Sequence, residues 1–513
     1  MVLAKEATTR LKGCVIIVHD QDGVAAVGRL VEFRQQVRDC FTRRGDAAFD
    51  LLDALTCHSG PVSSLPALSL EPEFRRGHGA LYSALAQGRV EEAGLRELLL
   101  DTALVDTRPV DTRPVGSDGV VWFAGDVSGW PRPDAVTSPQ RLAMFDKSAR
   151  TTAGHPITSG WPFAVMVGLE WGPTSWVAPV DAVRLGPADT LTGVTLAAME
   201  RVVAGLDRTG RDRTGRDRTA GFVFDAEYDL MAISHRCAGR VHVVGRLRSN
   251  QVFHAEPAPE PMRRGRRRRH GEKIILNDAG SLGRPDRRVE VDSPRYGRVV
   301  VSAWDRRHRR LTREGFWDTH PGVLPIVAGS VVRVELQRLP GGGVPDRPMW
   351  LWHAGPVPLE LATVFAAYQR RFDIEHFFRF GKQRLGWTRP APMLPGTGQL
   401  WTWLVLLAYA QLRLARPVVV DARLPWERPV EQAVLSPGRV RRVFRRVRAV
   451  VGTPADPPKT SRPGPGRPVG TSRLPRQRHP THKKNSRASR KKGAKAVAAP
   501  ATTGTPTRTT TRR

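Results

Sequence analysis

Tyr368, Arg371, Glu375 and Lys382 stand in the segment YQRRFDIEHFFRFGK at spacings of three, four and seven residues. In a helix advancing about 100° per residue they share a stripe roughly 60° wide. That stripe carries a ring, two cations and one carboxylate. A carboxylate between cations also describes a solvated ion-pair face, so the helix alone decides nothing. Two distant acids change the reading: Asp126 closes the apolar run GVVWFAG, and Asp225 closes GFVF. Strand ends hold side chains rigidly at a sheet edge. Metal-assisted phosphodiester cleavage needs carboxylates converging on ions about 4 Å apart. The cations then suit phosphates and the ring suits a base. An aspartate after a strand is equally a common turn residue, and Glu227 and Asp229 compete with Asp225. The conjunction of two strand-end acids with an acid-bearing basic helix carries the argument.

The chain has 513 residues, 81 Lys plus Arg against 49 Asp plus Glu, and a net charge of +32. Such a charge repels itself unless a polyanion is near, which favours nucleic acid as partner. No apolar run approaches the 18 or so residues of a membrane span. WTWLVLLAYAQL, starting at Trp401, therefore reads as a buried helix. No secretory signal is visible. The four cysteines, Cys14, Cys40, Cys57 and Cys237, form no CxxC pair. That argues against a zinc ribbon or disulfide scaffold and fits a reducing cytoplasm, with association to the nucleoid.

The elements that must position the acids follow from periodicity. Residues 1–30 have no clean period and read as an extension. Residues 31–115 show helical spacing and end in the tandem repeat DTRPVDTRPV, read as a loop duplication. Residues 116–250 alternate strands with one amphipathic helix, TLTGVTLAAMERVVAGL, which runs into a second polar repeat, DRTGRDRTGRDRT. This predicts an α/β domain with a mixed sheet. Residues 251–355 open on a basic run, RRGRRRRH, and continue as alternating strands, an all-β insertion. Helical pattern resumes over 356–420, which holds the Glu375 helix. Residues 421–452 read as a basic helical region. Residues 453–513 are rich in Pro, Gly, Thr and Lys/Arg, and Asp456 is their only acid. This composition predicts a disordered tail.

The pattern Y-x2-R-x3-E-x6-K, matched at Tyr368, Arg371, Glu375 and Lys382, resembles the third-acid helix of one group of DDE transposases from bacterial insertion sequences. GVVWFAGDVSGWPRPDA and GFVFDAEYDL resemble the first and second acid motifs of that group. The likeness extends to HPITSGWPFAVMVGLEWGPTSWVAPVDAVRLGPAD and VVGRLRSNQVF, and covers roughly residues 33–448. It implies an RNase H-like catalytic domain interrupted by a β-strand insertion before the third acid. It further implies that Asp126, Asp225 and Glu375 bind two Mg2+ ions, with Mn2+ as a possible substitute. Tyr368, Arg371, Lys382 and Arg246 would contact double-stranded DNA of the element's terminal repeats and of the target. Synapsis of two ends implies at least a homodimer. Trp304 and Trp317 lie in the β insertion, where related enzymes hold an aromatic for a flipped base; packing is the competing role. One departure is visible: Glu227 stands where the group commonly has glycine, a residue suited to a tight turn.

Other chemistries find little support. There is no G-x-x-x-x-G-K-[ST] loop for ATP and no G-x-S-x-G elbow around Ser128. His235 and Cys237 lack further ligands at metal spacing. Gly466-Arg467-Pro468 in the tail resembles a minor-groove hook, but such tripeptides are common in Arg- and Pro-rich chains. Three functions remain: a transposase, a catalytically inactive relative that only binds DNA, and an RNase H-like nuclease that cuts without joining.

Overall fold

The structure, a computed structural model, describes residues 21–104, 120–145, 156–209, 219–258, 268–460, 468, 470 and 475–483. The repeat at 106–115, most of the basic run at 263–270 and Gly466-Arg467 lie outside them.

The chain opens with α1 (Gln21–Asp39), β1 (Phe41–Arg43), α2 (Gly45–Cys57), α3 (Leu65–Ser69), α4 (His78–Gln87), β2 (Arg89–Val90) and α5 (Glu92–Leu104). Helix α1 starts at Gln21, ten residues before the periodicity suggested, and buries Ala26 and Leu30 beside Phe33 and Val37. β1 and β2 pair with each other as a short antiparallel ribbon.

The central sheet comes next in the chain. Its strands are β3 (Val120–Pro131), β4 (Leu142–Phe145), β5 (Ile157–Leu169) and β6 (Val177–Arg184). After helix α6 (Leu191–Thr209) come β7 (Thr219–Phe224), helix α7 (Leu230–Arg236) and β8 (His242–Leu247). Then β9 (Val252–His254), β10 (Lys273–Ile275), β11 (Arg287–Ser293), β12 (Gly297–His308), β13 (Ala328–Leu336) and β14 (Met349–Ala354) continue as strands without an intervening α-helix among the described residues. Strands β6, β5 and β3 form an antiparallel meander, while β7 pairs parallel with β3, and β8 parallel with β7. The later strands do not form a separate sheet. β14 pairs antiparallel with β8, and β13 and β12 come after it, so all twelve strands are continuous.

The sheet is covered on both faces. One face packs α6 and α7 with Trp304, Trp317, Trp350 and Trp352. The other packs the N-terminal helices with α8 (Leu361–Arg370), α9 (Asp373–Gln383), α10 (Pro395–Ala415) and α11 (Pro437–Val451). Helix α10 holds the WTWLVLLAYAQL run. It is buried continuously from Leu400 to Ala415 against α1, α2, α4, α11 and β6. No described helix is long and apolar enough to cross a membrane.

Polar groups buried with α10 are matched in pairs. Glu170 receives Arg413 at 2.6 Å and Arg416 at 3.0 Å. Burial alone would raise the Glu170 carboxyl, yet the two guanidiniums hold it below its ordinary range. Arg34 of α1 is 1% exposed and meets Asp53 of α2 at 2.8 Å. It also donates to Gln411 of α10 and to the Gly452 carbonyl, while Arg448 of α11 reaches Asp53 from the other side. The Asp53–Arg34 pair thus ties four helices together.

The tail departs from the sequence expectation in two places. Residues 453–456 are pinned: Arg75 and Arg76 donate to the Ala455 and Asp456 carbonyls, and Ala455 is buried. Residues 475–483, expected to be disordered, lie along the sheet edge at β4. Backbone hydrogen bonding to an open edge is indifferent to apolar content, so composition could not reveal it.

Breaking a buried ion pair by removing one partner leaves an uncompensated charge and costs about 3–5 kcal/mol. Asp53→Ala should therefore lower the unfolding midpoint sharply, because Arg34 would remain buried without its carboxylate. Thermal or urea denaturation checks this; a midpoint within error of the parent would show that Arg34 is satisfied by Gln411 and Gly452 alone.

Candidate active site

Asp126, expected at a strand end, lies inside β3, which runs on to Pro131, and Asp225 stands just past the end of β7. β3 and β7 run parallel, and their pairing ends with Ala124 opposite Val223. Asp126 and Asp225 each lie two residues beyond that last pair, which brings them to one corner of the sheet. Gly125 makes the approach possible, since a Cβ there would meet the Phe224 ring at 2.6 Å. Asp126 follows Trp122 and Ala124 onto the face that packs the C-terminal helices.

The third acid arrives from those helices. α9 packs on β3 and β6, and α8 packs on β7, β8, β11 and β12. Glu375 stands in the first turn of α9, where the positive helix end favours a carboxylate. Ile374, Phe377 and Phe378 anchor that helix in the core. The single helix expected over this segment is instead two. Hydrogen bonds tighten to i→i+3 at the junction, from Ile374 N–H to Arg371 C=O at 3.2 Å and from Glu375 N–H to Phe372 C=O at 3.0 Å. A tightened turn advances about 120° per residue, so Tyr368 and Glu375 do not keep the phase of one straight helix. Arg370 holds the junction by donating to the Gly172 and Thr174 carbonyls and pairing with Asp373 at 3.2 Å.

At that junction Arg371 reaches across to Asp126, with Nη1 2.9 Å from Oδ2. The other Asp126 oxygen accepts the Val127 N–H at 2.7 Å. Burial pushes the Asp126 carboxyl up to about 7, against the pull of Arg371 and with the added push of Asp225 and Glu375. Arg371 in turn feels Asp126, Asp225 and Glu375 and is raised despite its burial. The three acids therefore share one electrostatic site. Tyr368 lies under Arg371, the guanidinium carbon 5.9 Å from the ring centre. Lys382 sits half-buried near the end of α9, about 10 Å along the helix from Glu375.

The competing acids have other work. Asp229 caps α7, accepting the Ala232 N–H at 3.0 Å. Glu227 is exposed, and its N–H closes a turn onto Asp225 Oδ1 at 2.9 Å. Glu227 makes that turn without a positive φ, so this position does not demand glycine.

The donor set is all carboxylate oxygen, the chemistry of a hard divalent cation. The surplus negative charge felt by Asp126 is what such an ion would neutralise. As placed, the acids face one another without closing a cage; no three Asp, Glu, His or Cys among the described residues are spaced to grip an ion.

A cleft of about 340 Å³ opens beside the Asp225 loop. Residues 226–231 line one wall, and Arg309, Arg310, Thr312 and Trp317 line the other, with Arg246 and Gln251 between them. Arg246, Arg309 and Arg310 have no ion-pair partner among the described residues, whereas Arg34, Arg371, Arg413 and Arg416 do. Arg309 and Arg310 were not singled out by the sequence, although RRHRR beside Trp304 carried the signal. Tyr228 was also missed. Its buried hydroxyl is pushed well up by burial and by Asp126 and Asp225.

The two tryptophans separate. Trp304 is 3% exposed, packs on Trp350 and donates to the Gly283 carbonyl at 3.3 Å. It is a core residue, as the competing packing role has it. Trp317 is packed against His235 and His320, and one edge borders the cleft.

A family model described as DDE superfamily endonuclease matches residues 36–310. The match spans Asp126 and Asp225 and stops before Glu375. No characterised protein matches the chain.

The raised Asp126 carboxyl has a thermodynamic signature. Between its ordinary value near 3.8 and about 7, the folded protein keeps a proton that the unfolded chain releases. Asp126 therefore makes the fold less stable as pH rises through that window. In buffer with EDTA, the melting midpoint of Asp126→Asn minus that of the parent should grow from pH 4 to 7 and level off above. A difference independent of pH would mean the carboxyl is not held protonated.

Proposed function

The chain belongs to the DDE superfamily of endonucleases, and on that footing we propose that it is a DNA transposase that cuts element ends and joins them to target DNA. The observation that carries the proposal is the placement of Asp126 and Asp225, each two residues beyond the last pair of the parallel strands β3 and β7, with α9, which bears Glu375, packed on β3. The strand order β6-β5-β3-β7-β8, an antiparallel meander followed by two parallel strands, supports an RNase H-like reading. On that reading the strands of residues 251–355 are an insertion between the second and third acids.

Asp126, Asp225 and Glu375 would hold divalent ions, Mg2+ with Mn2+ as a substitute, which when bound activate the attacking oxygen and stabilise the leaving one. The protein's own groups do the rest. Arg371 balances Asp126 while the corner is crowded with negative charge. Arg246, Arg309 and Arg310 offer charge-assisted hydrogen bonds to phosphates of a strand entering the cleft. A cleft of about 340 Å³ admits a single nucleotide and excludes a duplex. That makes it the place for a nucleotide drawn out of the stack, with the Trp317 edge as its wall. Tyr368 and Lys382 would contact the same DNA along α8 and α9. Joining two ends requires two such sites, hence a homodimer in the synaptic complex.

Glu375→Gln keeps the side chain's shape and removes its charge. Nicking of a plasmid carrying the element's own ends, in Mg2+ or Mn2+, should be abolished, while gel-shift affinity for those ends stays nearly unchanged. Equal loss of both would sink the division between acids that cut and cations that bind. Cut ends that never appear joined to a second plasmid would make the protein a nuclease without strand transfer.

A further inference from the structure

Residues 475–483, PRQRHPTHK, carry two arginines, a lysine and two histidines with no acid, and the sequence has no acid after Asp456. They are fixed to the sheet edge almost wholly by polar contacts. The Ala143 N–H donates to the His482 carbonyl at 2.8 Å, the His482 N–H to the Arg141 carbonyl at 2.8 Å, and the His479 N–H to the Val136 carbonyl at 2.9 Å. Arg141 donates to the His479 carbonyl at 3.0 Å, and the Ser159 and Thr481 hydroxyls pair at 2.8 Å. Arg141 is itself buried, spending its guanidinium on backbone carbonyls rather than on an acid.

The side chains point elsewhere. Arg476, Arg478, His482 and Lys483 are exposed and have no ion-pair partner among the described residues. The segment buries little apolar surface, and ordering costs about 1–2 kcal/mol per residue. Its fixed course presents a row of cations rather than stabilising a core.

Sheet register places that row. Pro131 lies opposite Gly160, Gly160 opposite Leu142, and Leu142 bridges His482. Pro131 is five residues beyond Asp126, about 17 Å along β3, and three strand spacings add about 14 Å across. The row is therefore about 20 Å from the first acid, about six base steps of duplex DNA at 3.4 Å each.

We propose that residues 475–483 form a strap that tracks the phosphate backbone of duplex DNA about six base pairs from the cut. This rests on the transposase reading and gives that site a second, sequence-independent foothold. Three neutralised phosphates contribute about 2.7 to the slope of log affinity against log salt.

The test compares the full chain with the triple variant Arg476→Ala, Arg478→Ala, Lys483→Ala on a 30-base-pair duplex of arbitrary sequence, by anisotropy across a salt series. The slope should fall by about 2 to 3, and a variant with Arg476→Lys and Arg478→Lys should keep the parent slope. Because these side chains are exposed, the melting midpoint should not move. Truncation after Lys483 separates the strap from residues 484–513, and should retain the strap's share of the slope. A parent protein that ignores the duplex sinks the transposase reading itself. A parent that binds, with a triple variant of equal slope, overturns the strap alone.

Discussion

Like-charge repulsion at one corner of the sheet is the constraint around which this protein is arranged. Asp126 and Asp225 are set side by side by parallel pairing, and Glu375 is pressed toward them by a buried helix. Burial, with the added push of the other two acids, raises Asp126 to about 7. Arg371 at 2.9 Å and the Val127 N–H oppose this. Packing must supply what electrostatics withholds. Ile374, Phe377 and Phe378 bury α9, and α10 fills the layer behind it with a helix that is apolar all round. The strain is local and the compensation is spread over the core.

The twelve-stranded sheet explains how distant residues reach that corner. Had residues 252–354 folded apart, the Arg309–Trp317 loop would have no fixed relation to Asp225. Because β14 pairs with β8, the strands stay in one surface, and the loop after β12 is carried to the wall of the Asp225 cleft. Arg287 secures the return path. It binds Asp305 of β12 through two bonds of 2.8 Å and donates to the Leu359 carbonyl just before α8. The β region is thus tied to the helix pair that delivers the third acid.

Arginines serve two purposes here. Arg34, Arg413 and Arg416 are paired with carboxylates or backbone carbonyls and fix helices against one another. Arg246, Arg309 and Arg310, and the exposed cations of residues 475–483, have no such partner among the described residues. A chain with a charge of +32 cannot pair every cation internally. Which ones remain open, and whether they share a surface, gives that excess a direction.

Much was legible in the residues alone. Apolar runs leading into Asp126 and Asp225 marked the two strands, because period-two patterning is local, although β3 runs on past Asp126 to Pro131. The spacing from Tyr368 to Lys382 marked the third-acid segment, because helical spacing is local too. The buried character of the Trp401 run followed from its length. What the sequence could not reach was set by contacts between distant segments. The break between α8 and α9 depends on Arg370 finding the Gly172 and Thr174 carbonyls. That Asp229 caps the adjacent helix, while Asp225 does not, depends on how the chain turns after β7. Trp304 and Trp317 look alike in sequence and pack on the same face of the sheet, and only the neighbouring loop brings Trp317 to the cleft wall. The course of residues 475–483 rests on backbone hydrogen bonds to an open edge, which leave no trace in composition. Local pattern determined most of the elements and picked out candidate acids; tertiary pairing decided which groups meet, because register and edge availability belong to the assembled sheet.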